Sequence, residues 1–108
     1  FYRLDVGPQT PCASSGTCEA RLVVTALGGY KVNKDYPFKF VSELAPGIAF
    51  DGTGAFVLDD AKTGTLTIRF RVQKSGTAKL AGTFKLSVCT DEKCEIEAPK
   101  IAFELPVT

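Results

Sequence analysis

The sequence predicts an all-β protein, an antiparallel β-sandwich of about seven or eight strands, formed as a single domain over residues 1–108. Short runs of residues alternate between apolar and polar, as strands with one buried face do. Turn signals recur about every 8–12 residues, which is the spacing typical of a small sandwich. We find no convincing helical pattern, internal repeat or linker, and the length suits one domain with a modest core.

Five segments carry the clearest alternation, namely residues 1–6, 18–27, 65–72, 83–88 and 100–107. The strictest is 65–72, where every second residue is apolar and the intervening ones are threonine or arginine. Such a strand belongs to a sheet with one buried and one solvated face. We therefore expect the following side chains to point inward: Tyr2, Leu4, Val6, Ala20, Leu22, Val24, Ala26, Leu66, Ile68, Phe70, Val72, Phe84, Leu86, Val88, Ile101, Phe103, Leu105 and Val107.

Glycine-containing turns separate these segments, because glycine adopts the positive φ angles that tight turns need. The most loop-like stretch is 7–17, which is rich in proline, serine and glycine. The remaining turn signals are Gly28-Gly29, Ala45-Pro46-Gly47, Asp51-Gly52, Lys62-Thr63-Gly64 and Lys74-Ser75-Gly76.

Composition excludes several classes of function. The net charge is +1 and the chain has no histidine, so we expect no nucleic-acid partner and no Ser-His-Asp hydrolase. No apolar run is long enough for a transmembrane segment. Asp51, Asp59 and Asp60 lack calcium-loop spacing, and we interpret them as solvated turn residues. We expect no cofactor, no metal site and a monomer. The start at Phe1, without a signal segment, predicts a mature or excised form.

Four cysteines form two close pairs, Cys12/Cys18 and Cys89/Cys94. A four-thiolate zinc site is the alternative, but the C-x5-C and C-x4-C spacings match it less well than C-x2-C knuckles. Disulfides are favoured, and they indicate an oxidising compartment, periplasmic or extracellular. For Cys12/Cys18 we expect a structural disulfide that anchors the N-terminal loop.

The parity of the strands bears on how the cysteines pair. Cys18 lies an even number of positions from the inward residues of its strand and should point inward. Cys89 lies an odd number of positions from Phe84, Leu86 and Val88 and should point outward. A buried Cys18–Cys89 bridge would need a bulge, so local pairing is favoured. Residues 90–93 then form a four-residue hairpin loop, with Cys89 and Cys94 facing each other across the ladder.

A bridge between Cys89 and Cys94 closes a very short loop and contributes below ~3 kcal/mol, which mildly favours a chemical role over a structural one. Hairpin symmetry would place Ile96 on the face of the two sulfurs. Either the register changes near Ala98-Pro99, or Ile96 forms an apolar wall beside them.

Charged residues surround this pair in the sequence. Four carboxylates lie close by, and Lys93 is the one nearby cation; the carboxylates belong to Asp91, Glu92, Glu95 and Glu97. Carboxylates oppose thiolate formation, so neither thiol should be a strong nucleophile unaided. The pattern is consistent with a passive disulfide that a partner's thiolate attacks, and equally with an inert staple.

A late strand ends in Cys89 and is followed by a polar turn, Cys94, Pro99 and a last strand that ends in Leu-Pro-Val. Earlier in the chain, residues 29–37 contain Tyr-x-Val-Asn and Tyr-Pro motifs. Together these segments resemble the N-terminal periplasmic domain of DsbD, a family of membrane thiol:disulfide interchange proteins.

The resemblance implies an immunoglobulin-like sandwich with a thioredoxin-like partner domain. It implies that Cys94 forms mixed disulfides and that Cys89 resolves them. That family shields its cysteines with aromatic residues of a cap loop, for which Tyr36, Phe38 and Phe40 are the candidates here. A non-catalytic extracytoplasmic binding or scaffold domain with two structural disulfides is the alternative.

Overall fold

A computed structural model describes residues 1–7, 10–14 and 16–108, and none of these residues lies in a helix. They form two antiparallel sheets packed as a sandwich that measures 48 × 23 × 18 Å, which confirms the all-β prediction. The strands are β1 (Tyr2–Val6), β2 (Thr17–Ala26), β3 (Lys31–Val32), β4 (Lys39–Ser42), β5 (Ile48–Phe50), β6 (Ala55–Leu58), β7 (Thr63–Val72), β8 (Gly76–Cys89), β9 (Cys94–Glu97) and β10 (Lys100–Val107).

The described residues thus form ten strands rather than the expected seven or eight. Five of them, β3 to β6 and β9, have only two to four residues each. Segments this short cannot show a convincing alternation, and only their partners in the sheet define them. The predicted loop 7–17 includes residues 8, 9 and 15, which lie outside the described residues, and its last residue begins β2.

The first sheet has the order β1-β2-β7, with β5 and β6 both paired to the far side of β7. Its register places Leu22 of β2 opposite Leu66 of β7. Because directly opposite residues share a face, the apolar rows of β2 and β7 form one continuous inner surface.

The second sheet is built around β8, which has 14 residues. On one side of β8 lie β9 and β10, and on the other lie β3 and β4. One register runs along β9 and β10, from Cys94 opposite Cys89 to Val107 opposite Gly76. The Phe84 N–H donates to the Pro99 carbonyl at 3.0 Å. The register therefore does not change at Pro99, and the first of the two alternatives for Ile96 is wrong.

The core contains the predicted residues of β2, β7 and β8, which are all buried. Leu105 and Val107 of β10 are buried as well, while Ile101 and Phe103 are half-buried against the same cluster. Val6 is the exception, because it lies at the end of an edge strand and stays 51% exposed.

Two glycines let aromatic rings pack against the central strands. A Cβ on Gly64 of β7 would overlap the ring of Phe56, and one on Gly82 of β8 would overlap the ring of Phe40. These positions face the core, where only a residue without a side chain leaves room for a ring. The aromatic residues of β4 and β6 are thereby brought into the sandwich.

The two edges of the second sheet differ. On the β3/β4 side, the Val32 N–H donates to Ala61 and the Phe40 N–H donates to Thr53, both carbonyls in turns of the first sheet. On the other side, residues near Cys12 pair with the far end of β10, at Val107 and Thr108. Within the described part of the chain, β9 pairs only with β8, so its outer edge is open.

Candidate functional site

The first disulfide joins Cys12 to Cys18 and links the two sheets. Cys18 lies in β2 of the first sheet, while Cys12 forms a parallel bridge with Val107 of the second. The Thr108 N–H donates to the Cys12 carbonyl at 2.8 Å and fixes that position. Both cysteines are buried, with 3% and 1% of their surface exposed, and both belong to the core cluster. The predicted local pairing and the inward position of Cys18 are confirmed.

The second disulfide joins Cys89, the last residue of β8, to Cys94, the first residue of β9. Its cysteines are directly opposite each other in the ladder, as predicted. Hydrogen-bonded pairs occur at Thr90/Lys93 and Phe84/Pro99, so Cys89 and Cys94 form a non-hydrogen-bonded pair, in which side chains approach closely. Cys89 is half-buried and Cys94 is exposed, and neither belongs to the core cluster.

The side chain of Thr90 holds the turn between these cysteines. Its hydroxyl accepts from the N–H groups of Glu92 and Lys93, at 3.3 and 3.1 Å, and lies 3.3 Å from the Lys93 carbonyl. The Thr90 N–H donates to the same carbonyl at 2.7 Å. A threonine hydroxyl can thus close a hairpin that contains no glycine.

The register places the residues after Cys94 on alternating faces. Glu95 is opposite Val88 and Glu97 is opposite Leu86, so both carboxylates lie on the core side of the sheet, half-buried at its rim. Ile96 is opposite Ser87 and lies on the outer face with the disulfide, 66% exposed. It is the next residue along the ladder on the face of the sulfurs, in agreement with the second alternative.

The electrostatic surroundings of the disulfide differ from those that the local sequence suggested. Lys31 of β3 is directly opposite Cys89 and shares its face, although it is far away in the sequence. Glu95 lies on the other face, 3.5 Å from the Lys93 ammonium. Strand pairing thus adds a cation that the local sequence does not indicate and directs Glu95 and Glu97 to the other face, while Asp91 and Glu92 stay in the turn next to the disulfide.

A buried polar pair supports β3 next to the disulfide. Ser87 is completely buried, and its hydroxyl accepts from the Asn33 side-chain amide at 3.2 Å. The Asn33 N–H also donates to the Ser87 carbonyl at 3.0 Å. Asn33 and Ser87 thereby extend the β3–β8 pairing by one step and fix Lys31 beside Cys89. Neither Lys31 nor this pair could be found from local sequence, since the partners are separated by more than 50 residues.

Two of the three aromatic residues suggested as a cap pack on the core side of the sheet and not over the disulfide. Phe40 is buried in the core beside Phe50, and Phe38 stacks on Phe56 with ring centroids 3.9 Å apart. Tyr36 contacts the edge of the Phe38 ring. Phe38 and Phe40 pack on the core side of β8, whereas Cys89 points outward, so their suggested role as a cap is wrong.

The acidic turn residues bond within their own turns. The Asp59 carboxylate accepts from the Thr65 hydroxyl, and the Asp60 carboxylate accepts from the Lys62 N–H, both at 2.8 Å. In the ranges 1–7, 10–14 and 16–108, no group of His, Cys, Asp and Glu side chains is arranged to hold a metal ion. All four cysteines of the sequence are in disulfides.

In comparisons with known proteins, no protein-family model, curated protein or solved structure matches this chain. In the part of the chain that the structure describes, there is no helix of the length and apolar character needed to span a membrane.

Proposed function

We propose that this domain is a thiol–disulfide exchange module of the periplasm or cell exterior, which passes reducing equivalents through Cys89 and Cys94. The observation that carries the proposal is the position of this disulfide outside the core, with Cys94 exposed on an edge strand. A thioredoxin-like protein domain is the proposed partner. This agrees with what the resemblance to the DsbD N-terminal domain implies.

The surroundings of the disulfide allow it to open without unfolding the domain. The core cluster does not include Cys89 or Cys94, and the β8–β9 ladder continues past them to Glu97. Both thiols would then remain at the end of an intact hairpin, held together by the contacts of Thr90.

The exchange step conserves atoms and electrons. A thiolate of the partner attacks the exposed Cys94 Sγ along the S–S axis, a mixed disulfide forms, and Cys89 leaves as a thiolate. A second thiol of the partner, once deprotonated, then attacks the partner's sulfur in the mixed disulfide and releases Cys94. The partner ends as a disulfide and this domain as a dithiol, so two electrons have moved.

Lys31 has a role in this step that follows from its position. The Cβ atoms of directly opposite residues lie about 4.5–5.5 Å apart, so the ammonium group can approach the Cys89 sulfur. A nearby cation stabilises a thiolate and therefore makes Cys89 the better leaving group. This assignment agrees with Cys94 as the attacked sulfur.

The test is a redox titration in which each disulfide is the control for the other. The oxidised protein is equilibrated with dithiothreitol at increasing ratios of thiol to disulfide, free thiols are trapped, and mass spectrometry assigns them. We expect Cys89–Cys94 to open first, at a potential well above about −300 mV, while circular dichroism shows an intact fold. If both bridges open together, or only as the domain unfolds, the exchange role is wrong and a scaffold domain with structural disulfides remains.

A further inference from the structure

The outer face of the second sheet carries a row of lysines next to the Cys89–Cys94 disulfide. Lys85 lies between the buried Phe84 and Leu86 and so points outward. Lys39 is directly opposite Lys85, and Lys100 is opposite Thr83 on the same face. With Lys31 opposite Cys89, these residues form what we call the lysine face: Lys31, Lys39, Lys85 and Lys100.

The charges of the two outer faces are organised differently. On the first sheet, Glu19 bonds to Arg21 and Arg69, and Arg3 bonds to Asp5, at 2.8 to 3.0 Å. Among the described residues, no carboxylate lies within ion-pair distance of any lysine of the lysine face; the ion pairs of the second sheet are Lys79–Glu104 and Lys93–Glu95. The turn with Asp91 and Glu92 extends beyond the disulfide and does not lie between these lysines.

The pair of Lys39 and Lys85 is unfavourable for the isolated domain. Like charges that are directly opposite in an antiparallel pair destabilise the sheet. Both side chains are half-buried, which weakens screening by solvent. An acidic partner on this face would relieve the repulsion.

We propose that the lysine face is the docking surface for the redox partner, and that the partner presents carboxylates around its reactive cysteine. The proposal rests on the function proposed above, because the disulfide and the exposed Ile96 lie on the same face as the lysines. Ile96 supplies the apolar contact next to the sulfurs, and the lysines supply charge complementarity and orientation. A protein is favoured over an anionic membrane because the face includes the disulfide that a partner must reach.

The test compares the rates at which two forms of one thioredoxin-fold protein reduce the Cys89–Cys94 disulfide. One form has carboxylates around its redox cysteines, and in the other these are replaced by amides. Rates are measured at about 0.01 M ionic strength, where the Debye length is about 30 Å, and again at about 0.5 M. We expect Lys39→Glu/Lys85→Glu to slow reduction by the acidic form about tenfold or more at low salt. Reduction of this variant by the amide form and by uncharged dithiothreitol should remain close to wild type.

Matched variants distinguish an effect on docking from an effect on stability and from an effect of net charge alone. Arg71→Glu/Lys74→Glu makes the same change in net charge at the other end of the sandwich and should leave the rate close to wild type. Lys39→Glu alone replaces the like-charge pair by an opposite-charge pair. This variant should therefore raise the midpoint of thermal unfolding, and it should still slow reduction of the disulfide by the acidic form of the partner protein.

Each outcome bears on one proposal. If the acidic form reduces both double variants at the wild-type rate, the docking proposal is overturned and the exchange function stands. If neither form reduces the wild type faster than free dithiothreitol does, the exchange function itself fails. If Lys39→Glu/Lys85→Glu changes only binding to phosphatidylglycerol vesicles, the lysine face is a membrane surface, which also overturns the docking proposal.

Discussion

The two disulfides close loops of almost the same size, with sequence separations of 6 and 5 residues. The chain-entropy model therefore assigns each about 2 kcal/mol of stabilisation. They differ in what they connect, because Cys12–Cys18 links the two sheets inside the core, while Cys89–Cys94 links two strands that are already paired. Loop length, which mildly favoured a chemical role for Cys89–Cys94, does not distinguish the two bridges; burial and connectivity do.

Removal of each bridge tests this comparison most directly. Cys12→Ala/Cys18→Ala should lower the free energy of unfolding by about 3–5 kcal/mol, since it also leaves unfilled space in the core. Cys89→Ala/Cys94→Ala should cost about 2 kcal/mol or less, because the cysteines are not part of the core. Urea denaturation followed by circular dichroism measures both values. Equal losses would contradict the distinction.

A substitution in the hairpin turn should affect one bridge and not the other. Thr90→Val removes the hydroxyl contacts to Glu92 and Lys93 and should weaken the turn by about 1 kcal/mol. The hairpin then holds the two thiols together less well, so the equilibrium between disulfide and dithiol should shift about fivefold towards the dithiol.

A glutathione titration measures this shift, with Cys12–Cys18 as the internal reference. Thr77→Val, at an exposed site near the other end of β8, is the matched control and should leave both equilibria unchanged. A similar shift in both variants would mean that the effect is not local to the turn.

The smallest expected effect concerns the electrostatic interaction between Tyr2 of β1 and Glu97 of β9. Burial raises the pKa of the Tyr2 phenol above 10.0, and the Glu97 carboxylate raises it further by repelling the phenolate. The resulting stabilisation is complete below pH 10 and is lost as the pH rises through the pKa of the folded state. Tyr2→Phe should therefore make the free energy of unfolding less dependent on pH in the alkaline range.

A spectrophotometric titration of the phenol provides the second measurement. Glu97→Gln should lower the pKa of Tyr2, whereas Glu104→Gln, on the outer face of β10, should leave it unchanged. An unchanged pKa in Glu97→Gln would mean that Glu97 does not lie on the core side next to Tyr2.

The long strands could be predicted from the sequence because their alternation is a local property. The inward rows of β2, β7 and β8 are buried as expected, and the local pairing of the cysteines followed from the parity of Cys18 and Cys89. The short strands β3 to β6 could not be predicted, since segments of two to four residues carry no period.

The surroundings of the site depend on pairing across the sheet, which is why they were partly mispredicted. Lys31 reaches Cys89 only through the β3–β8 register, and the lysine face exists only when β4 and β10 lie beside β8. Likewise, Phe38 and Phe40 were candidates for a cap because they are aromatic, but the glycine at position 82 and the stacking on Phe56 direct them to the core. Residue type and sequence spacing do not show which strands pair or on which face of the sheet a side chain lies.

The inward carboxylates of β9 also bear on aggregation. An open strand edge is a template on which another chain can add a strand, and flat apolar edges invite such polymerisation. A strand added to β9 would extend the inner surface past Glu95 and Glu97, so its own apolar row would lie beside two carboxylates. Charged residues that point inward from an edge make such growth unfavourable. Cys94 can therefore stay exposed on this edge strand without the edge promoting the growth of fibres.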